Sequence, residues 1–195
     1  NLYMAMNFFD QVLDNTNCKT VIVSGSCFEY GKKFGSCKES DRVNINSYFS
    51  WAKYALYQYL SIKCAEKKVT LNWFRIFYVY GPLQREGSLI PMLVNSIMNS
   101  RIPKINTPMN ENDFVYVDDV AKAIIEACSK ESKSGVYNLG SGKPTSIFHI
   151  CKIVEKQLKG TSYLSEEVKN GAPKDGQIKF WADNEKSSDI FGWEP

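Results

Sequence analysis

Several residue patterns are missing from this sequence, and each absence excludes a class of protein. There is one histidine, and the six cysteines form no CxxC pair and no grouping with it, so a metal site is not expected. No apolar run approaches the roughly 18 residues of a membrane-spanning helix, and no signal-peptide pattern occurs. The formal net charge is only +3 and no Lys or Arg block stands out, so neither nucleic acid nor a membrane is an expected partner.

The composition is typical of a folded chain. Of 195 residues, 44% are hydrophobic and 13% aromatic, which is enough apolar surface for a sizeable core. The length suits one domain, or one domain with a small lobe. Scattered cysteines in a chain of this length indicate a reducing compartment, and we expect a cytoplasmic protein.

The first part of the chain predicts a βαβ unit. Leu2, Met6, Phe9 and Leu13 recur at helical spacing, so we predict a helix over 2–14. An apolar strand, a long helix and a second strand follow at 20–26, 48–67 and 69–77. Two strands joined by a crossover helix imply a parallel sheet.

The second part of the chain continues the alternation and ends in a polar tail. We predict helices over 89–100, 119–130 and 147–159, and strands over 113–117, 135–140 and 178–182. Asp118 or Asp119 can cap the second of these helices, and Ser146 can cap the third. Gly160 should end the third helix.

Six segments resemble, in order, the sequence blocks of one family. They are SGSCFEYG (24–31), FSWAK (49–53), WFRIFYVYGP (73–82), NDFVYVDDVAKAI (112–124), YNLGSG (137–142) and FGWEP (191–195). The blocks they resemble are SSxxxYG, YxxxK, RxFNxYGP, RDFxxVxDVAxAI, YNxGxG and LGWxP. These occur in the NAD(P)-dependent sugar-nucleotide epimerases and dehydratases, which are extended short-chain dehydrogenases.

The resemblance implies an α/β fold with two parts. A partial doubly wound, Rossmann-like parallel sheet would comprise residues 1–82 and 113–140, and a smaller substrate-binding lobe would comprise 83–112 and 141–195. The expected cofactor is NAD or NADP, the expected partner is a nucleotide-linked sugar, and a homodimer is possible.

The resemblance also implies that about a hundred upstream residues are missing, including the glycine-rich turn that seats the cofactor pyrophosphate. The GxG at Gly140 and Gly142 lacks a third glycine. We interpret it as a strand-to-helix turn and not as a cofactor fingerprint.

In the family, a tyrosine and a lysine four residues apart on one helix exchange a proton with a sugar hydroxyl, helped by a serine or threonine. Lys53 and Ser26 keep their positions, but Phe49 occupies the position of the tyrosine. Tyr48 is a possible substitute, although on a regular helix it points about 100° away from Phe49. The alternative is that Tyr48 is only a core or rim aromatic.

Further site residues are implied by position in the family blocks. Ser24 and Phe77 would contact the cofactor together with Lys53. The predicted substrate-binding residues are Tyr78, Arg85, Asn112 and Lys174. Tyr78 and Asn112 stand where the family has Asn and Arg, and Arg85 suits a phosphate. Arg75, in a strand, is expected to pair internally.

The expected reaction is narrowed by two residues. Cys27 and Phe28 occupy positions where 4,6-dehydratases carry Asp and Glu, which argues against dehydration. Epimerisation or 4-keto reduction remains, with hydride transfer at sugar C4. The alternative is a non-catalytic or truncated relative that folds but has lost cofactor binding and the proton relay.

Overall fold

A computed structural model describes residues 1–170 and 178–195. Its helices are α1 (Leu2–Asn15), α2 (Tyr48–Lys67), α3 (Leu89–Met98), α4 (Val117–Ser129), α5 (Ile147–Lys159), α6 (Tyr163–Asn170) and α7 (Glu185–Phe191). Its strands are β1 (Thr20–Ser24), β2 (Gly35–Cys37), β3 (Thr70–Ile76), β4 (Tyr78–Tyr80), β5 (Glu111–Tyr116), β6 (Gly135–Leu139), β7 (Pro144–Ser146) and β8 (Phe180–Ala182).

The main sheet has three parallel strands in the order β1-β3-β6. The predicted parallel βαβ unit and α/β fold are therefore confirmed. Side chains of a strand alternate between its two faces, so β3 contributes to two cores. Leu71 and Trp73 pack against α1 and α2, whereas Phe74 packs against α4 and α7. Helices thus cover both faces of the sheet.

Two smaller sheets lie beside the main one. β5 pairs in parallel with β4 and antiparallel with β7, and β2 pairs in parallel with β8. A separate cluster joins α3, α5 and α6 through Leu93, Ile97, Cys151 and Val168. The predicted domain boundary between residues 112 and 113 falls inside β5.

The structure confirms one predicted helix cap and corrects another. Ser146 Oγ accepts a hydrogen bond from His149 N at 3.1 Å, and Gly160 ends α5 with φ 70°. The cap on α4 was predicted wrongly, because α4 begins at Val117 after Tyr116, with no side-chain cap. Asp118 and Asp119 lie in its first turn, where their charge still favours the helix dipole.

The polar tail contains two helices that the sequence did not predict, α6 and α7. The start of α6 is held by Glu155, which projects from α5. Its buried carboxylate accepts hydrogen bonds from Leu164 N, Ser165 N, Ser165 Oγ and Thr161 Oγ1, at 2.8–2.9 Å. Burial alone would raise the pKa of Glu155, but these hydrogen bonds hold the pKa below its usual value.

A buried carboxylate also joins β5 to the turn after β6. Asp113 accepts from Ser141 N at 2.5 Å, Ser141 Oγ at 2.7 Å, Gly142 N at 3.0 Å and Ala182 N at 2.9 Å. The backbone amides of the Gly-Ser-Gly segment are thus engaged by an internal anion. This supports the interpretation of that segment as a structural turn.

Candidate functional site

The predicted catalytic residues of α2 are positioned by its N-terminal cap. Ser47 Oγ accepts a hydrogen bond from Ser50 N at 3.2 Å, so the helix begins at Tyr48. Phe49 and Lys53 then lie four residues apart in a regular helix and share one face.

Lys53 is fixed against the end of β1. Its Nζ donates a hydrogen bond to the carbonyl oxygen of Ser24 at 2.7 Å. Partial burial lowers the pKa of Lys53, and the negative charge of Glu29 opposes that shift. The hydrogen bond gives the lysine a defined position between α2 and the main sheet.

Ser26 is held by a buried carboxylate. Its Oγ accepts from Phe28 N at 3.3 Å, and its backbone N donates to Glu29 Oε1 at 2.9 Å. Glu29, fully buried, also accepts from Trp73 Nε1 at 3.0 Å and from Arg75 Nε at 2.9 Å. The predicted internal pairing of Arg75 is thereby confirmed.

Arg75 extends this network to the neighbouring strand. Its guanidinium lies 4.5 Å from the ring centroid of Tyr30, whose hydroxyl donates to Asn138 Oδ1 at 2.8 Å. Burial by itself would lower the pKa of Arg75, but Tyr30 and Glu29 reverse the shift and raise it.

Glycine is required at position 25 because the Trp73 indole lies against its backbone, and a Cβ on Gly25 would overlap that ring.

A cleft of about 760 Å³, here called the aromatic cleft, opens beside Phe49. Five aromatic rings line it: Phe28, Phe49, Tyr78, Phe114 and Phe180. The remaining lining residues are Gly31, Lys32, Asn46, Ser47, Leu89, Thr107, Asn110, Asn112, Ile147 and Ile178.

A second pocket of about 500 Å³, here called the Lys53 pocket, also borders Phe49. It is lined by Asn1, Leu2, Ala5, Tyr48, Phe49, Ala52, Lys53 and Leu56. Phe49 lines both spaces.

The structure places Tyr48 at the surface. Its side chain is 93% exposed, and it lines the Lys53 pocket and a surface pocket next to Trp51. Tyr48 is not part of the described lining of the aromatic cleft. A relay role for Tyr48 would need its side chain to move, and it stays a prediction.

The predicted substrate-binding residues are only partly brought together. Tyr78 and the nearly buried Asn112 both line the aromatic cleft, and burial raises the pKa of Tyr78. Arg85 is exposed on the loop before α3 and forms no ion pair with any described residue. Lys174 lies outside the described residues.

The predicted cofactor contacts differ in their surroundings. Ser24 is the hydrogen-bond partner of Lys53. Phe77 is only 4% exposed and packs with Tyr30 and Phe180. Its ring is a core side chain in this arrangement, and its contact with a cofactor stays a prediction.

Five polar residues of the aromatic cleft were missed by the sequence analysis: Lys32, Asn46, Ser47, Thr107 and Asn110. They come from three loops, and no motif marks them. Lys32 follows Gly31, whose φ of 65° turns the chain towards the cleft.

Across residues 1–170 and 178–195, no group of three or more His, Cys, Asp or Glu side chains could hold a metal ion. No helix in the same ranges is long and apolar enough to cross a membrane.

Comparison with known proteins identifies the family. Residues 1–140 match the model of the NAD dependent epimerase/dehydratase family, and the chain belongs to that family. It is 23% identical over 199 residues to the dTDP-4-dehydro-6-deoxyglucose reductase of Escherichia coli, covering 100% of this chain and 62% of that protein. It is 31% identical over 136 residues to the dTDP-L-rhamnose 4-epimerase of Burkholderia thailandensis, covering 66% of this chain and 36% of that protein.

Among solved structures, the chain resembles a UDP-N-acetylglucosamine 4-epimerase from Methanobrevibacter ruminantium in complex with UDP-N-acetylmuramic acid. The TM-score is 0.83 at 26% identity, covering 100% of this chain and 63% of that one. The chain therefore spans less than two thirds of the length of these relatives.

Proposed function

We propose that this protein is an NAD(P)-dependent epimerase or 4-keto reductase that acts on a nucleotide-linked sugar, with hydride transfer at sugar C4. The observation that carries the proposal is the position of Phe49. It lines both the pocket that contains Lys53 and a cleft large enough for a sugar nucleotide. We propose that sugar and cofactor meet beside Phe49.

Lys53, which lines the Lys53 pocket, would contact one end of the cofactor, and Ser24 lies beside it as its hydrogen-bond acceptor. NAD(P) supplies hydride transfer when it is bound. The Gly-Ser-Gly amides do not fit the pyrophosphate, because Asp113 already accepts hydrogen bonds from them. We therefore expect these 195 residues alone to bind NAD(P) with millimolar affinity at best.

The proton chemistry would fall on three positions. The Ser26 hydroxyl would hydrogen-bond the reacting sugar oxygen, and the Lys53 charge would favour an ionised partner beside it. Phe49 has no proton to give. The protein would then bind its substrate but turn it over slowly, because general acid–base catalysis contributes roughly 10²–10⁴-fold.

At the nucleotide end, we propose that residues 83–112 and 141–195 form the substrate lobe. Asn112 already lines the cleft. Arg85 and Lys174 would approach the diphosphate on the same side, because guanidinium and ammonium groups suit phosphate oxygens.

The second candidate is a non-catalytic relative that binds a sugar nucleotide without converting it. Phe49 in place of the family tyrosine favours this candidate, as does Asn112 in place of the family arginine. The two candidates share the aromatic cleft and differ in turnover.

The shared part of the proposal can be tested by binding. Isothermal titration of the protein with UDP-sugars and dTDP-sugars should give saturable binding in at least one series. Asn112→Asp places a negative charge at the nearly buried position that lines the cleft, and should weaken that binding at least tenfold. Asn99→Asp, on the exposed end of α3, is the matched control and should leave it unchanged. Absence of binding in both series would contradict the assignment of the cleft.

A further inference from the structure

A polar pocket, here called the basic pocket, borders Lys32. Its volume is about 620 Å³, and it is lined by Tyr30, Lys32, Lys33, Asp41, Arg42, Val43, Asn44 and Ile45. Lys32 also lines the aromatic cleft, where it is the only charged residue of the described lining. The single cation of the cleft therefore belongs to a larger group of cations beside it.

Backbone contacts hold the two sides of the basic pocket together. One side is formed by residues 30–33 and the other by residues 41–45. Asn44 N donates a hydrogen bond to Glu29 O at 2.9 Å. Gly31, with φ 65°, lies so close to Asn44 that a Cβ there would be 2.1 Å from the Asn44 carbonyl oxygen. Exchanging a cationic side chain therefore leaves the backbone frame of the pocket in place.

The charges of this lining are unbalanced. Three of its side chains are cationic and one is a carboxylate. Asp41 Oδ2 accepts hydrogen bonds from Lys33 Nζ and from Lys38 N, the latter at 2.6 Å. Lys32 and Arg42 are exposed and form no ion pair with any other residue that the structure describes. Two positive charges thus stand at one concave site with no counter-charge among the described residues.

Two neighbouring carboxylates are bound to other groups. Glu39 Oε1 accepts a hydrogen bond from Asn138 N at 2.7 Å, and the buried Glu29 carboxylate accepts from Arg75 Nε at 2.9 Å. Neither side chain lines the basic pocket. Neither can neutralise the unpaired cations without giving up these hydrogen bonds, and a buried donor left without a partner is costly.

We infer that the basic pocket is a binding site for phosphate-type oxyanions, with Arg42 and Lys32 as its charged ligands. A guanidinium fork matches two oxygens of a phosphate group, and an ammonium adds a compact charge with three donors. A phosphate group carries roughly two negative charges at neutral pH, which matches the two unpaired cations, whereas a carboxylate would leave one of them unpaired. The site needs neither sugar nor cofactor, so the inference goes beyond the proposed function and does not rest on it.

Two sources of phosphate groups fit this position. One is a free anion, phosphate or pyrophosphate. The other is the diphosphate of a nucleotide whose remaining part lies in the aromatic cleft, because Lys32 lines both spaces. Both sources use the same contacts at Arg42 and Lys32, and they differ in whether the cleft adds affinity.

The site is tested by isothermal titration with phosphate, pyrophosphate, UDP and, as the carboxylate, acetate. Phosphate and pyrophosphate should bind saturably, and acetate at the same concentrations should not. Binding should weaken when sodium chloride is raised from about 20 mM to about 200 mM, because exposed charges are screened over roughly 10 Å at 0.1 M salt. Absence of binding by all three phosphate compounds would overturn the inference, and so would acetate binding as tight as that of phosphate.

The same titrations distinguish the two sources. Equal affinities of UDP and pyrophosphate would identify the free anion as the ligand. UDP binding that is at least about tenfold tighter than pyrophosphate binding, and that depends on Lys32, would identify the diphosphate of a nucleotide.

Two variants test the assigned ligands. Arg42→Gln and Lys32→Gln each remove one charge from an exposed position and should fold. Each should weaken pyrophosphate binding by roughly fivefold or more, since each removes a charge-assisted hydrogen bond. Arg101→Gln removes the same charge from an exposed position that lines neither space, and should change the affinity by less than about twofold.

Two results with these variants would overturn the inference. Equal losses in Arg42→Gln, Lys32→Gln and Arg101→Gln would show that only the net charge of the protein matters, and unchanged affinity in the first two would remove the assigned ligands. If sugar nucleotides bind and Asn112→Asp weakens them, while phosphate compounds do not respond to Arg42 and Lys32, the proposed function survives and the anion site fails.

Discussion

The side-chain ammonium of Lys53 donates a hydrogen bond to the backbone carbonyl of Ser24 at 2.7 Å, which ties the second turn of α2 to the end of β1. This contact holds the YxxxK-like helix at a fixed distance from the main sheet. Ser26 lies two residues further along the same chain segment. The proposed roles of the Ser26 hydroxyl and the Lys53 ammonium stay predictions, and Phe49 stands at the position of the family tyrosine.

The buried carboxylate of Glu29 should dominate the stability of this region. Glu29→Gln removes the charge opposite Arg75, which is buried with Nη1 lacking any described partner. Breaking a buried pair in this way costs about 3–5 kcal/mol of unfolding free energy. Chemical denaturation followed by tryptophan fluorescence measures the change.

The control for that measurement is Glu126→Gln, which removes an exposed i,i+4 pair with Lys130. It should change the unfolding free energy by less than about 1 kcal/mol. Similar losses in the two variants would show that the Glu29 network is not the stabilising element described above.

The turn after β6 should not tolerate a side chain at Gly140. A Cβ there would overlap Asp113 Oδ2 and lie 2.7 Å from the Ala182 Cβ. Gly140→Ala should lower the free energy of unfolding by about 1–3 kcal/mol through overpacking. It should disturb β8 as well, because Ala182 N also donates to Asp113.

Gly87→Ala, where a Cβ meets nothing within 4 Å, is the control and should be neutral or slightly stabilising. Thermal denaturation of the two variants side by side checks this, and equal midpoints would count against the packing described at Asp113.

The attachment of α6 should weaken in acid. Because the folded-state pKa of Glu155 lies below its usual value of 4.5, its stabilising contribution is present above that pH. The contribution is lost as the pH falls through the lower, folded-state pKa. Glu155→Gln leaves some amide donors unsatisfied, and should cost about 1–3 kcal/mol at pH 7.

Glu155→Gln should also lose less stability than the wild type as the pH falls from about 5 to about 3, because it has no carboxylate at this position to protonate. Glu166→Gln, a half-exposed position on α6 paired with Lys152 at 3.6 Å, is the control and should keep the wild-type pH profile. Thermal midpoints across this range measure both, and identical profiles for wild type and Glu155→Gln would contradict the prediction.

The sequence predicted the elements whose signal is local. The strand at 20–26 and the helix at 48–67 follow from a continuous apolar run and from helical length, and both formed with small boundary differences. Arg75, in the middle of an apolar strand, could only be buried with a partner, which made its internal pairing predictable.

The features that sequence reasoning missed depend on contacts between distant segments. The start of α6 is held by Glu155 from another helix, and no window around residues 163–170 contains that information. Lys32 reaches the cleft only because Gly31 turns the chain after the short helix at Cys27–Tyr30. The start of α4 was misplaced because an aspartate in the first turn and an aspartate at the cap produce the same local pattern.

The most direct test of the account is the turnover of Phe49→Tyr. The substitution adds one hydroxyl to a ring that lines both pockets, four residues before Lys53. In a longer form of the protein that contains the glycine-rich turn, supplied with NAD(P) and a nucleotide sugar that it binds, kcat should rise at least tenfold with KM nearly unchanged, because the new contact is made mainly in the transition state. Tyr48→Phe is the matched control and should leave turnover as it was. A loss of activity in Tyr48→Phe with no gain in Phe49→Tyr would instead assign the relay to Tyr48, and no effect of either substitution would contradict the Tyr–Lys mechanism for this protein.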